Sequence, residues 1–170
     1  REFLQIAKDV KQITDAYEIP LIINDRIDIA MAVDADGVHL GQSDIPAHTA
    51  RELLGPDKII GVSAYNKELA IDAQKEGADY LGVGDVFGTS TKAGTHHVEI
   101  DTLREICNAV KIPVVAIGGV NQSNVTKLAG TGVSGAAVIS AIIASKNITE
   151  AATDMLSLLQ KEVIVNSPRA

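Results

Sequence analysis

The hydrophobic pattern of this chain changes period at regular intervals, and that change limits the fold more than any other feature. Short runs rich in β-branched and aliphatic residues fall at positions 20–23, 37–40, 59–62, 80–83, 113–117 and 136–139. Between most of them lie segments with helical spacing and helix-start signals. Asn66 precedes KELAIDAQKEG, Asp101 precedes TLREICNAV, and Thr149 with Glu150 opens a last helix. Gly77 and Gly132 stand where a helix would stop before the next strand. A loose internal repeat supports the same reading: VDADGVHLG, EGADYLGVG and GVSGAAVIS each set a tight turn before a strand of similar length. Strands alternating with helices imply right-handed βαβ units and a parallel sheet. The runs are apolar almost throughout, as strands buried on both faces should be.

Two architectures use this pattern, a doubly wound open sheet and a closed (β/α)8 barrel. The chain opens in an amphipathic helix, with Phe3, Leu4, Ala7, Val10, Ile13 and Tyr17 on one stripe and no strand before them. A helix of this length ahead of the first strand fits a TIM (β/α)8 barrel with its first two β/α units missing from this chain. The expected organisation is therefore an α/β barrel domain over residues 1–162, six of eight units, followed by a frayed tail at 163–170. A length of 170 residues suits one domain with a sizeable core. Aromatics are 3% of the residues and Trp is absent, so that core must consist of Ile, Val, Leu and Ala.

Charge and cysteine content exclude several classes of function. The formal charge is −7, from 15 basic and 22 acidic residues, which opposes non-specific binding to nucleic acid or an anionic membrane. It does not oppose a local cationic pocket for phosphate. No apolar run approaches the roughly 18 residues of a membrane helix, and the single cysteine, Cys107, suits a reducing cytoplasm. Cys107 shares an apolar helix face with Leu103, Ile106 and Val110 and reads as inert core.

In a parallel α/β fold, ligand chemistry collects in the loops at the carboxyl ends of the strands. Those ends carry Asn24-Asp25, Gly41-Gln42-Ser43-Asp44, Ser63, Thr89-Ser90-Thr91-Lys92, Gly118-Gly119 and Ser140. Helix starts are expected near Asn121 and Ala141. Taken singly, Asp25 and Asp44 read equally as turn or cap residues, and Lys92 as a solvated lysine. Their joint position on one rim gives them chemical meaning. Two carboxylates from adjacent strands suit Mg²⁺, which takes few protein oxygens and keeps water and phosphate oxygens. A lysine and hydroxyls on a glycine loop offer charge and donors to phosphate, and backbone amides at Gly119 and Ser140 offer a second anion site. Two anion provisions and a metal suggest a diphosphate on one reactant and a monophosphate on the other. His96-His97 reads as a polar loop, and His39, alternating with Val38 and Leu40, as structural unless it points into the barrel.

The segments IIND (22–25), DGVHLGQSD (36–44), GVSAY (61–65), GVGDVFGTSTK (82–92), VVAIGGV (114–120) and AVISAI (137–142) closely resemble thiamine-phosphate synthase, in order and over nearly the whole chain. The resemblance implies a (β/α)8 barrel that joins a pyrimidinylmethyl diphosphate to a thiazole phosphate and releases diphosphate. It implies Asp25 and Asp44 as Mg²⁺ ligands, and Asn24, Ser63 and Lys92 as contacts to the pyrimidine diphosphate. Thr89, Ser90, Thr91, Gly119 and the Ile139-Ser140 backbone would receive the thiazole phosphate. Lys92 would stabilise charge as diphosphate leaves, with Ser63 beside it. The family's first two strands and its Gln-x-Arg-x-Lys type motif have no counterpart in these residues. A barrel lacking them would have open sheet edges, which favour association into a homo-oligomer. Asp85 and Gly88 stand where the family usually has prolines, so Gly88 is expected to loosen the loop and Asp85 to add negative charge near a phosphate. A related thiazole tautomerase relies on a histidine where this chain has Tyr65. A domain that binds thiamine phosphate without turnover is the remaining alternative.

Overall fold

The computed structural model describes residues 1–88 and 96–165. Its centre is one six-stranded parallel sheet whose spatial order follows the sequence: β1 (Ile22–Asn24), β2 (Gly37–Leu40), β3 (Ile59–Ala64), β4 (Tyr80–Val83), β5 (Val114–Ile117) and β6 (Gly135–Ala137). A doubly wound sheet reverses its strand order at a switch point; this one never does. The helices are α1 (Glu2–Ala16), α2 (Ile27–Ala32), α3 (Ala47–Leu54), α4 (Lys67–Lys75), α5 (Ile100–Ala109), α6 (Ser140–Ile143) and α7 (Ile148–Leu158).

Right-handed crossovers that always advance in one direction put the connecting helices on one face of the sheet. Side-chain burial identifies that face. Val38, Leu40, Ile60, Leu81, Val83, Val114 and Ala116 point to it and are essentially inaccessible. The opposite face carries Asn24, His39, Gly61, Ser63, Tyr80, Gly82, Val115 and Ile117, related by the register Asn24↔His39↔Gly61↔Tyr80 and Ser63↔Gly82↔Val115. Here Asn24 and Ile117 are exposed and His39, Ser63, Tyr80 and Val115 half-buried. One face is thus a dry aliphatic layer and the other holds the polar groups.

Several expectations need correction. α1 is present, but of its stripe only Ala7 is buried and Leu4 half-buried, whereas Ile13 and Tyr17 are 60% and 73% exposed. α1 packs on α2, with Ala7 in the core and Leu4 against it, while Phe3, Val10, Ile13 and Tyr17 remain exposed. Asn66 does cap α4, accepting the Leu69 N–H. Asp101, however, lies inside the first turn of α5, where it pairs with Arg104. The last helix is capped by Asn147, which accepts the Glu150 N–H, so Thr149 is already helical. After β5, Asn121 opens only a turn and a 3-10 helix at Val125–Leu128. The tail expected from position 163 begins inside a π-helical turn, Leu159–Ile164, and Val163 is 1% exposed in the core.

Cys107 is fully buried, as its helix face requires. Among the described residues no helix is long and apolar enough to cross a membrane.

Candidate active site

The carboxyl ends of β1 and β2 bring two acidic residues to one rim. Asp25 follows β1 directly in the left-handed region at φ 62, which aspartate tolerates. Its N–H donates to the His39 carbonyl of the neighbouring strand at 2.8 Å, holding its backbone to the sheet. Asp44 sits in the turn after β2, where its Oδ2 accepts the Gly41 N–H at 2.7 Å. Neither α2 nor α3 has a side-chain cap hydrogen bond, so the structure does not use either carboxylate as a helix cap. In the same turn Gln42 Nε2 donates to the Ser63 carbonyl at 2.6 Å, tying the β2 loop to the end of β3.

This donor set fits Mg²⁺. Its two hard carboxylates stand at adjacent strand ends on an accessible rim, and a carboxylate that accepts one amide retains further lone pairs for a cation. Among the described residues no cluster of three or more His, Cys, Asp or Glu that could hold a metal gathers.

Across the rim, β5 ends in Gly118 and Gly119, both with positive φ, at 96 and 65. A Cβ on Gly119 would stand 2.1 Å from the Gly88 carbonyl oxygen. The β4 loop and the β5 turn therefore meet backbone against backbone. The Gly119 carbonyl accepts from Asn121 Nδ2 and Asn124 Nδ2, each at 2.9 Å, and the Asn124 side chain accepts the Asn121 N–H. The Asn121 side chain also accepts the Ser123 N–H and its backbone carbonyl the Val125 N–H, so Asn121 starts a turn that leads into a short 3-10 helix. Ile139 and Ser140 are exposed at the start of α6.

Asp85 differs from its expected role. It is 7% exposed and its Oδ1 accepts the Gly88 N–H at 2.8 Å. Its own N–H donates to the His96 carbonyl and its carbonyl accepts the Val98 N–H. Asp85 thus clasps both ends of the segment between Gly88 and His96 instead of presenting a bare charge to a ligand. Thr89, Ser90, Thr91 and Lys92 lie outside the described residues.

From the sequence His39 reads as structural unless it points into the barrel. In the structure it lies on the polar face, with Nδ1 2.9 Å from the Tyr80 hydroxyl and Nε2 3.0 Å from Ser63 Oγ. Burial pushes the Tyr80 hydroxyl above the usual tyrosine value. Strand alternation alone placed His39 opposite Val38 and Leu40; the contacts follow only once β2, β3 and β4 are set in register. Tyr65, beyond β3, stacks on His96 with ring centroids 4.0 Å apart.

The sheet and rim define a parallel β/α protein whose polar side chains collect at the carboxyl ends of its strands. Residues 1–142 match the family model described as thiamine monophosphate synthase, and the chain belongs to that family. The thiamine-phosphate synthase of Clostridium tetani is 54% identical over 155 residues, covering 91% of this chain and 74% of the relative. That of Ruminiclostridium cellulolyticum is 57% identical over 158 residues, 93% of this chain and 75% of the relative. Among solved structures, thiamine phosphate pyrophosphorylase from Pyrococcus furiosus superposes with a TM-score of 0.86 at 43% identity, over 95% of this chain and 77% of that one.

Proposed function

We propose that this chain is a thiamine-phosphate synthase, a transferase that joins 4-amino-2-methyl-5-(diphosphooxymethyl)pyrimidine to a thiazole (carboxythiazole) phosphate and releases diphosphate. The observation that supports the reading is the placement of Asp25 and Asp44 in the segments directly after the adjacent strands β1 and β2, with the Gly88–Gly119 contact after β4 and β5. Asp25 and Asp44 would hold Mg²⁺, which when bound supplies positive charge for the diphosphate. Asn24 and Ser63 bind the pyrimidine diphosphate from β1 and β3. Lys92 stabilises the charge that develops as diphosphate leaves. The thiazole phosphate is received by Thr89, Ser90, Thr91, Gly119 and the Ile139-Ser140 backbone. Reaction through a pyrimidine carbocation asks the protein for positioning and leaving-group stabilisation, and requires no protein nucleophile. The sequential parallel sheet supports six consecutive units of a (β/α)8 barrel, acting in the cytoplasm on small molecules. Tyr65 at the tautomerase histidine position and the two carboxylates both favour the synthase.

The test is a coupling assay with both phosphorylated reactants, with and without Mg²⁺, read by product mass. A Mg²⁺-dependent thiamine phosphate peak supports the proposal. Binding of thiamine phosphate without turnover would replace it with the silent binding domain.

A further inference from the structure

We propose that Tyr80 and His39 form a directional hydrogen-bond relay that turns the Ser63 hydroxyl outward as a donor to the diphosphate reactant, which makes both of them positioning residues. The relay spans three strands: Tyr80 on β4, His39 on β2 and Ser63 on β3, with contacts of 2.9 and 3.0 Å. It deepens the synthase reading, because it rests on Ser63 meeting a phosphate.

The ligand sets the polarity. Ionised phosphate oxygens accept hydrogen bonds, so a serine that serves them must donate its only proton outward. Ser63 Oγ then accepts from His39, which requires the proton on Nε2. Neutral imidazole with Nε2–H has an accepting Nδ1, and the group facing Nδ1 is the Tyr80 hydroxyl. Burial keeps that hydroxyl protonated and able to donate. Donation therefore runs from Tyr80 to His39 to Ser63 to ligand, with every step satisfied.

The sheet makes room for this arrangement at two points. His39, Gly61 and Tyr80 are register partners, and a Cβ on Gly61 would stand 2.2 Å from Tyr80 Cζ. Gly82, register partner of Ser63, would place a Cβ 2.8 Å from His39 Cε1. Both rings lie where side chains have been given up beside them. An aliphatic-only role for this layer would not require glycine under each ring.

Two measurements test the relay. In the protein saturated with inorganic diphosphate and Mg²⁺, long-range proton–nitrogen spectra of the imidazole, assigned with His39→Gln, should give the Nε2–H tautomer, and Tyr80→Phe should shift the population toward Nδ1–H. An Nδ1–H tautomer in the wild type overturns the proposal. In turnover, Tyr80→Phe should raise KM for the pyrimidine diphosphate about tenfold, the scale of a hydrogen bond to a charged group, with KM for the thiazole phosphate unchanged. His39→Gln, which keeps one acceptor and one donor, should stay within ~3-fold of wild type, whereas His39→Leu should not. Equal changes in both KM values, or none in Tyr80→Phe, overturn it. A wild type without turnover would sink the synthase reading instead, and the imidazole spectrum would still decide the relay.

Discussion

The Gly88 carbonyl oxygen lies 2.1 Å from the point where a Cβ on Gly119 would stand. Any side chain at Gly119 must therefore separate the β4 loop from the β5 turn, the two segments that carry the proposed thiazole phosphate contacts. Gly119→Ala should lower turnover at least tenfold and cost about 1–2 kcal/mol from its positive φ alone. Gly130→Ala is the control: its φ is 70 but nothing lies within 4 Å of the added methyl. It should lose similar stability and keep its activity. Thermal unfolding and steady-state kinetics on both variants separate strain from displacement.

Asp44 serves two roles that one pair of substitutions can divide. Asp44→Asn keeps an acceptor for the Gly41 N–H but removes the charge a cation needs. It should unfold within a degree or two of wild type and require at least tenfold more Mg²⁺ for half-maximal turnover. Asp44→Ala should also lose the turn bond, about 1 kcal/mol. A Mg²⁺ titration of activity that is identical in wild type and Asp44→Asn would remove Asp44 from the metal assignment.

Much of this arrangement was legible in the sequence, for reasons that differ by element. Gly37–Leu40 and Tyr80–Val83 match their predicted bounds because turn residues flank clear apolar runs. β6 is Gly135–Ala137 instead of 136–139, since small residues carry little periodic signal. The helix expected near Asn121 is reduced to a turn and the 3-10 helix Val125–Leu128, with the side chains of Asn121 and Asn124 fastened to the Gly119 carbonyl. Rim membership of Asp25, Asp44, Ser63 and Gly119 followed from strand polarity. The Tyr80–His39–Ser63 contacts did not, because they depend on register between segments 24 and 41 residues apart.

Asp85 gives a prediction that separates loop order from charge. Asp85→Asn keeps an oxygen for the Gly88 N–H, and activity should remain within about threefold. Asp85→Ala removes the acceptor of the Gly88 amide, about 1 kcal/mol, and should raise KM for the thiazole phosphate. If both variants bind the phosphorylated reactants better than wild type, the carboxylate acts mainly as a repulsive charge and its clasp is secondary.

Tyr80 provides the pH dependence. Its folded-state pKa is raised by burial above the ordinary value near 10. As pH rises past 10 the unfolded chain releases this proton before the folded protein does, so the unfolded state binds fewer protons in that window. The stabilising contribution is complete below the unfolded value and is lost as pH climbs through the folded one. Phenolate absorbance should therefore include a late component that is absent from Tyr80→Phe. Denaturant titrations should show wild-type stability falling more steeply than Tyr80→Phe above pH 10. Parallel alkaline limbs in the two proteins would mean that Tyr80 is solvated and that its hydroxyl is not held by burial for donation to His39.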